Sequence, residues 1–234
     1  MDAPTGDSFL VMTHNAGNGH ARPPKLARVL RDSEADIIGL QEITTAQAEE
    51  LDAELHDVYP YRVLYGEGIP GKGILSKFPI LEARQLHIFP NRPDLWGQLD
   101  VGGRSLDLVS GHPWPPRAHR DGYYQGPETR EHIRRLLELA GSGRPAIVVG
   151  DFNFTERNKA YTEFAAAGLT DAFRVAGKGR GGTLPVHVSG IPLSPVLRVD
   201  YILHTKHFKA EEAWVGTSTG SDHRPVLARF CWVQ

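Results

Sequence analysis

The chain has 234 residues, 40% of them apolar, enough to bury a sizeable core within one domain. Its formal net charge of −2 excludes a global electrostatic pull toward polyanions, so a phosphate-bearing partner must be met by a local arrangement of groups. The single cysteine, Cys231, excludes an internal disulfide and a thiolate zinc site, and no apolar run approaches the roughly 20 residues that a membrane-spanning helix needs.

Residues 9–15 predict a short buried strand, and Pro23-Pro24 lead into a helix with apolar spacing at Leu26, Val29 and Leu30. A second strand is predicted over 37–41. Thr44 and Gln47 have the capping-box spacing, so a helix should run through Glu49 and Leu51 toward Leu55. From Tyr61 onward the texture changes to short β-like runs, at 73–76, 80–86, 95–101 and 105–111, with Gly102-Gly103 as a hairpin turn. A helix over 129–140 carries Ile133, Leu136, Leu137 and Ala140 on one face, and the apolar strand 146–149 then stops at Gly150-Asp151. The closing third predicts a helix near 160–167, a Gly-rich polar loop at 177–182, and strands at 199–204, 213–216 and 226–230. With no repeat and no interdomain linker, one domain over 1–234 is expected. The mixture of hairpins and intervening helices predicts two mixed sheets stacked face to face with helices outside.

Several strands end abruptly in a carboxylate, amide or imidazole: Thr13-His14-Asn15, Gly39-Leu40-Gln41-Glu42, Ser110-Gly111-His112, Gly150-Asp151-Phe152-Asn153, Arg198-Val199-Asp200-Tyr201-Ile202 and Gly220-Ser221-Asp222-His223-Arg224-Pro225. Singly, each has an ordinary structural explanation, since Asp and Asn after a strand are turn formers and a lone His is more often a satisfied structural residue. Six together, at strand ends that a sandwich gathers along one edge, are a different matter.

In this order the six motifs resemble the endonuclease/exonuclease/phosphatase superfamily, which includes pancreatic-type DNases, abasic-site endonucleases, neutral sphingomyelinases and inositol polyphosphate phosphatases. The resemblance covers nearly the whole chain, and its most specific parts are Asp-Phe-Asn after an apolar strand, Arg-Val-Asp-Tyr-Ile, and Ser-Asp-His-Arg-Pro. It implies a four-layered α/β/β/α sandwich and divalent-metal-dependent hydrolysis of a phosphoester. Mg²⁺, with Mn²⁺ as the alternative, suits hard oxygen ligands, and the resemblance makes Glu42 the principal ligand with Asn15 and Asp222 assisting. Asp151 and Asn153, two apart in an extended segment, would project together at the reacting phosphate. His223 would contact that phosphate or take a proton from the attacking water, with Asp200 fixing its tautomer, and His112 would protonate the leaving oxygen or stabilise the transition state. Which imidazole does which job stays open.

One departure stands out. DNase-like members hold the equivalent of His112 with an acidic residue just before the central strand, and the Ser-Lys-Phe-Pro segment aligns Gly71 there; Glu67 is the candidate substitute. Beyond these residues, the stretch from Trp114 through Arg117, His119, Arg120, Tyr123 and Tyr124 combines cations with aromatics and is a candidate substrate entrance or a Pro-stiffened surface loop. The loop 177–183 lacks the spacing of a Walker motif and is expected to lie beside the site. His14, His20, His87, His187, His204 and His207 have no zinc-like spacing and are expected to be structural, as are Trp96 and Trp232.

The leading functional expectation is a DNA endonuclease acting as a monomer on nucleic acid. The alternative, suggested by likeness to membrane-anchored bacterial members of the superfamily, is a phosphatase or pyrophosphatase acting on a phosphorylated lipid carrier or a small phosphoester. A catalytically inactive binding module is the third. The polar N-terminus predicts no signal segment and a soluble protein, cytoplasmic by default, though a trimmed membrane-anchored or secreted form would leave no trace.

Overall fold

A computed structural model describes residues 7–119, 122–141, 143–188 and 191–233. In chain order its elements are β1 (Ser8–Asn15), α1 (Pro23–Asp32), β2 (Ile37–Gln41), α2 (Thr45–Leu55), β3 (Tyr61–Tyr65), β4 (Lys72–Ser76), β5 (Ile80–Leu86), β6 (Asp94–Val101), β7 (Arg104–Gly111), β8 (Arg117–His119), β9 (Gly122–Tyr124), α3 (Pro127–Ala140), β10 (Ala146–Asp151), α4 (Thr162–Ala166), β11 (Thr170–Asp171), α5 (Ala172–Ala176), β12 (Leu184–Val188), β13 (Ile191–Leu197), β14 (Asp200–His204), β15 (Phe208–Val215) and β16 (Val226–Trp232). Two six-stranded mixed sheets carry the architecture, ordered β15-β16-β1-β2-β4-β3 and β11-β14-β10-β7-β6-β5.

Strict alternation of side chains along the central strands builds the layers. Phe9, Val11, Ile37, Ile74, Ile147, Val149 and Ile202 face the core between the sheets. Their neighbours Leu10, Met12, Ile38 and Leu75 face the opposite way, against Leu26 and Leu30 of α1 and Leu51 and Leu55 of α2. On the other side of the molecule Val148, Tyr201 and Leu203 pack against Ile133, Leu136 and Leu137 of α3 and Phe164 of α4. The result is the expected helix/sheet/sheet/helix order. The sheets approach closely beneath one edge: a Cβ on Gly39 would lie 2.3 Å from Val149 Cγ2. There Gln41 donates to Ser110 Oγ at 2.9 Å, and Ser110 donates to the Leu40 carbonyl at 3.2 Å, tying β2 to β7 across the gap.

Several sequence signals translate directly into geometry. Thr44 and Gln47 form a reciprocal capping box at the start of α2. Gly102 and Gly103 both take positive φ between paired β6 and β7, as a tight hairpin turn requires. Other boundaries shift. Helix α3 starts two residues earlier than its apolar spacing suggests, because Pro127 suits the first turn, and the helix expected near 160–167 divides into a 3-10 turn at Lys159–Tyr161 followed by α4. The short hairpin β8–β9 sits in the stretch offered as a surface loop or substrate entrance, and β12–β13 is a further hairpin. Residue Arg120 lies outside the described residues, as do the side chains of His119, Tyr123, Tyr124 and His187. Trp96 is buried, while Trp232 is partly buried and packs on Phe208 with ring centroids 4.5 Å apart. No helix among the described residues is long and apolar enough to cross a membrane.

Candidate active site

Topology explains why distant motifs meet. β1 and β2 run parallel, as do β7 and β10, so Asn15, Glu42, His112 and Asp151 all emerge at C-terminal strand ends on the same edge. β14 and β16 run antiparallel to these strands. Asp200 at the start of β14 therefore pairs with Asp151, and the turn before β16 brings His223 to the same edge.

Asp151, 1% exposed, is the hub. Its Oδ2 accepts from Asn15 Nδ2 at 3.0 Å and lies 3.5 Å from His112 Nε2 and 3.6 Å from His223 Nε2. Burial disfavours its charge, but the imidazoles of His223 and His112 and the Asn153 N–H outweigh this and hold its carboxyl below the usual range. Glu42 Oε1 accepts from the same Asn15 amide at 3.3 Å and lies 3.4 Å from His112 Nε2. Its pKa is raised by burial, opposed by the Asn15 hydrogen bond, with the Asp151 charge adding to the rise. Glu42 also takes a left-handed backbone, φ 55, uncommon for a residue with a Cβ.

His223 Nδ1 pairs with Asp200 Oδ2 at 2.9 Å. Burial opposes its charge, yet Asp200 and Asp151 push its pKa up to about 10, so it is an imidazolium at neutral pH. Burial raises the Asp200 carboxyl, and its second oxygen meets no hydrogen-bond geometry with any of the described residues. Asn153 does not extend from Asp151 as expected. It turns back at φ 57, with its N–H donating to Asp151 Oδ1 at 2.8 Å and its side-chain amide to the Pro113 carbonyl at 2.9 Å. Asp222 is the outlying member: its side chain is 43% exposed, with Oδ1 3.2 Å from Ser221 Oγ and 3.6 Å from His20 Nδ1.

The surroundings of His112 differ most from expectation. No acid can stand at position 71, because a Cβ there would be 2.1 Å from the Ile43 carbonyl oxygen. Besides the Asp151 and Glu42 carboxylates, the ring meets a cation: Arg92 Nη2 lies 2.6 Å from Nε2 and 3.0 Å from Nδ1, and Arg92 Nε donates to the His112 carbonyl at 2.8 Å. Lys72, fully buried at the start of β4, also bears on the ring electrostatically. Burial first, then these cations, bring the His112 pKa down to about 3 against the pull of Asp151, so the ring is neutral. Asp94 binds the His112 N–H at 3.0 Å through one oxygen and buried His132 of α3 through the other. Arg92, Lys72, Asp94 and His132 were all missed in the sequence reading. Only Lys72, adjacent to the Gly71 departure, carried a signal that could have pointed to it.

Two donor sets present themselves to a cation. Asp151, Asp200 and His223 bring potential ligand atoms within 4.8 Å of one another. An imidazolium has no lone pair to offer, however, and one oxygen of Asp200 is already engaged by His223. The Glu42 and Asp151 carboxylates, drawn together with one Asn15 amide between them, fit a hard divalent ion better. A cleft of about 290 Å³ is lined by Phe89, Trp114, Arg117 and Glu128, so the start of the aromatic stretch does border an opening.

The endonuclease/exonuclease/phosphatase family model matches residues 12–223, a span that takes in every residue of this cluster. The chain belongs to that family. The protein YbhP of Escherichia coli K12 is 25% identical over 95% of this chain and 96% of its own length. Among solved structures, the endonuclease/exonuclease/phosphatase from Bacteroides vulgatus superposes with a TM-score of 0.77 at 19% identity, covering 97% of this chain and 99% of that one. The mannosyl-6-phosphatase Bt3783 of Bacteroides thetaiotaomicron superposes with a TM-score of 0.72 at 20% identity, covering 96% and 100%. Family members are hydrolases of phosphoesters and generally depend on a divalent metal.

The buried imidazoles make stability depend on pH in opposite senses. His14, fully buried with Nε2 on Thr219 Oγ1, has its pKa lowered to about 3 by burial and by the charge of His223, and His112 behaves alike. Between about pH 6.5 and 3 the unfolded chain binds these protons and the folded one does not, so stability falls on acidification by up to about 1.4 kcal/mol per pH unit per group. His223, with its raised pKa, contributes stability below about pH 6.5 that is lost as pH rises toward about 10. In metal-free denaturant titrations from pH 7 to 4, His14→Gln is expected to flatten the acid slope by up to one such increment. An unchanged slope would contradict a neutral buried His14.

Proposed function

We propose that the protein is a divalent-metal-dependent phosphoester hydrolase. The observation that carries this reading is the meeting, at Asp151, of two imidazoles, an amide and a second carboxylate contributed by both sheets. Glu42 and Asn15 would hold Mg²⁺ or Mn²⁺, with Asp222 drawn in from the rim. When bound, such an ion offsets the negative charge of the phosphoryl oxygens.

The chain's own groups supply the rest. Asp200 fixes Nδ1 of His223, which turns the Nε2–H toward Asp151 and the reacting phosphate as a charged donor. Of the two roles open to His223, this favours phosphate contact over proton abstraction. Asp151, held ionised, is the acceptor that orients an attacking water. Asn153 braces the His112–Pro113 backbone and becomes available to a phosphate oxygen only by exchanging its bond to the Pro113 carbonyl. His112, with Arg92 against its ring, is placed beside both carboxylates to stabilise the transition state.

Two substrate classes fit that chemistry. Cleavage within DNA is the reading carried over from the family's nucleases. Release of a terminal phosphate from a small phosphoester or a phosphorylated lipid is favoured by one specific observation, the cations where nuclease-like members place an acid, and we rank it first. The deciding assay incubates the protein with Mg²⁺ or Mn²⁺, with and without EDTA, on supercoiled plasmid, a phosphomonoester and a lipid pyrophosphate, beside a His223→Ala control. EDTA-sensitive phosphate release without nicking is the expected result. Nicking absent from the control would make it a nuclease, and no turnover of any substrate with either metal would sink the hydrolase reading.

A further inference from the structure

Among the described residues the cations beside His112 touch no carboxylate and meet negative charge only at longer range, chiefly that of Asp151, Glu42 and Asp94. Arg92 is 3% exposed, and its hydrogen bonds go to the neutral ring and carbonyl of His112, with no carboxylate within 4.0 Å among the described residues. Lys72 is 0% exposed and, among the described residues, donates to the Pro70 carbonyl at 3.0 Å. Buried cations are almost always paired, because stripping water from an unpaired charge costs several kcal/mol. Here no carboxylate is in contact with either cation among the described residues, beside the ring that borders the Glu42 and Asp151 carboxylates.

We propose that Arg92, backed by Lys72, is the clamp for a terminal phosphoryl group and selects phosphomonoester ends over phosphodiesters. The inference rests on the hydrolase reading and narrows its substrate. A diester phosphate brings one negative charge, which the metal and His223 suffice to meet. A terminal phosphate brings close to two at neutral pH and an additional free oxygen, and that increment calls for a further cation. Arg92 is prepared to meet it. Its Nε is tied to the His112 carbonyl and its guanidinium plane lies on Trp114, 4.6 Å from the ring centroid, so little side-chain freedom is lost when an anion binds. Nη2 touches the same ring that lies 3.4 Å from Glu42 and 3.5 Å from Asp151, which puts the guanidinium one side chain away from the carboxylate cluster. A phosphomonoester and the outer phosphate of a pyrophosphate share this terminal chemistry.

The test compares wild type, Arg92→Gln, Arg92→Lys and Lys72→Met on p-nitrophenyl phosphate, inorganic pyrophosphate and bis-p-nitrophenyl phosphate with Mg²⁺. Binding of inorganic phosphate in EDTA, read by thermal shift, is measured alongside. Arg92→Gln is expected to lower kcat/KM on the terminal substrates by about a hundredfold and on the diester at least tenfold less. Arg92→Lys should recover part of the loss, Lys72→Met should share its selectivity at smaller size, and phosphate should stabilise wild type but not Arg92→Gln. Which terminal substrate the wild type prefers separates phosphatase from pyrophosphatase. Equal losses on all substrates would reduce Arg92 to a structural support and overturn the proposal, as would a diester-preferring wild type or phosphate binding that survives in Arg92→Gln. Should Arg92→Gln fail to fold, Lys72→Met and Arg92→Lys carry the same comparison. If wild type turns over nothing, the hydrolase reading fails by itself, and phosphate binding still decides the clamp.

Discussion

His223→Ala is expected to lower phosphoester turnover by a factor between about a hundred and ten thousand while the protein stays folded. The side chain is 8% exposed and is held by Asp200 from behind and Asp151 in front, so no water can reproduce both its charge and its position. The fold should survive because burial already raises the Asp200 carboxyl, which can take up a proton once its partner is gone. Asp200→Asn should cause a smaller loss, and the double variant should be little worse than His223→Ala alone, since Asp200 acts through the ring. Steady-state rates with near-ultraviolet circular dichroism check this, and a well-folded His223→Ala protein with full activity would overturn the site assignment.

The second large effect concerns Glu42. Glu42→Gln keeps the side chain's shape but removes its charge, and is expected to raise the Mg²⁺ concentration for half-activation by about ten- to a hundredfold. Glu42→Gly adds a distinguishing readout. At φ 55 the native residue sits where glycine is at ease, so the glycine variant should equal or exceed wild type in thermal stability while losing metal activation. A Glu42→Gly protein that melts well below wild type would show the backbone to be unstrained, and one that keeps normal Mg²⁺ activation would remove Glu42 from the metal site.

Much of this was legible in the sequence, for identifiable reasons. The central strands alternate apolar side chains toward two different cores, so 9–15, 37–41 and 146–149 announce themselves by composition alone. The motifs carry chemistry in adjacent residues, and parallel pairing gathers Asn15, Glu42, His112 and Asp151 at one edge while antiparallel β14 and β16 return Asp200 and His223 to it. Asp222 and Asn153 show the limit. Both lie in turns, where spacing does not determine direction, and one points outward while the other folds back on Pro113. Arg92 and Asp94 were illegible because Asn-Arg-Pro-Asp reads as an ordinary turn. Their importance comes from His112, far along the chain, and from the exclusion of any side chain at Gly71.

The contact between Gly39 and Val149 gives the site a mechanical character. Asn15 and Glu42 ride on one sheet, and His112, Asp151 and Asp200 on the other, so the reacting cluster works like a pair of jaws. The gape of those jaws is set at a hinge of bare backbone, the missing side chain of residue 39, and is latched by Gln41 and Ser110. Reactivity therefore depends on a dimension that no catalytic group controls. A methyl group added at that hinge would part Glu42 from Asp151 without touching either, and the chemistry would be lost through spacing alone.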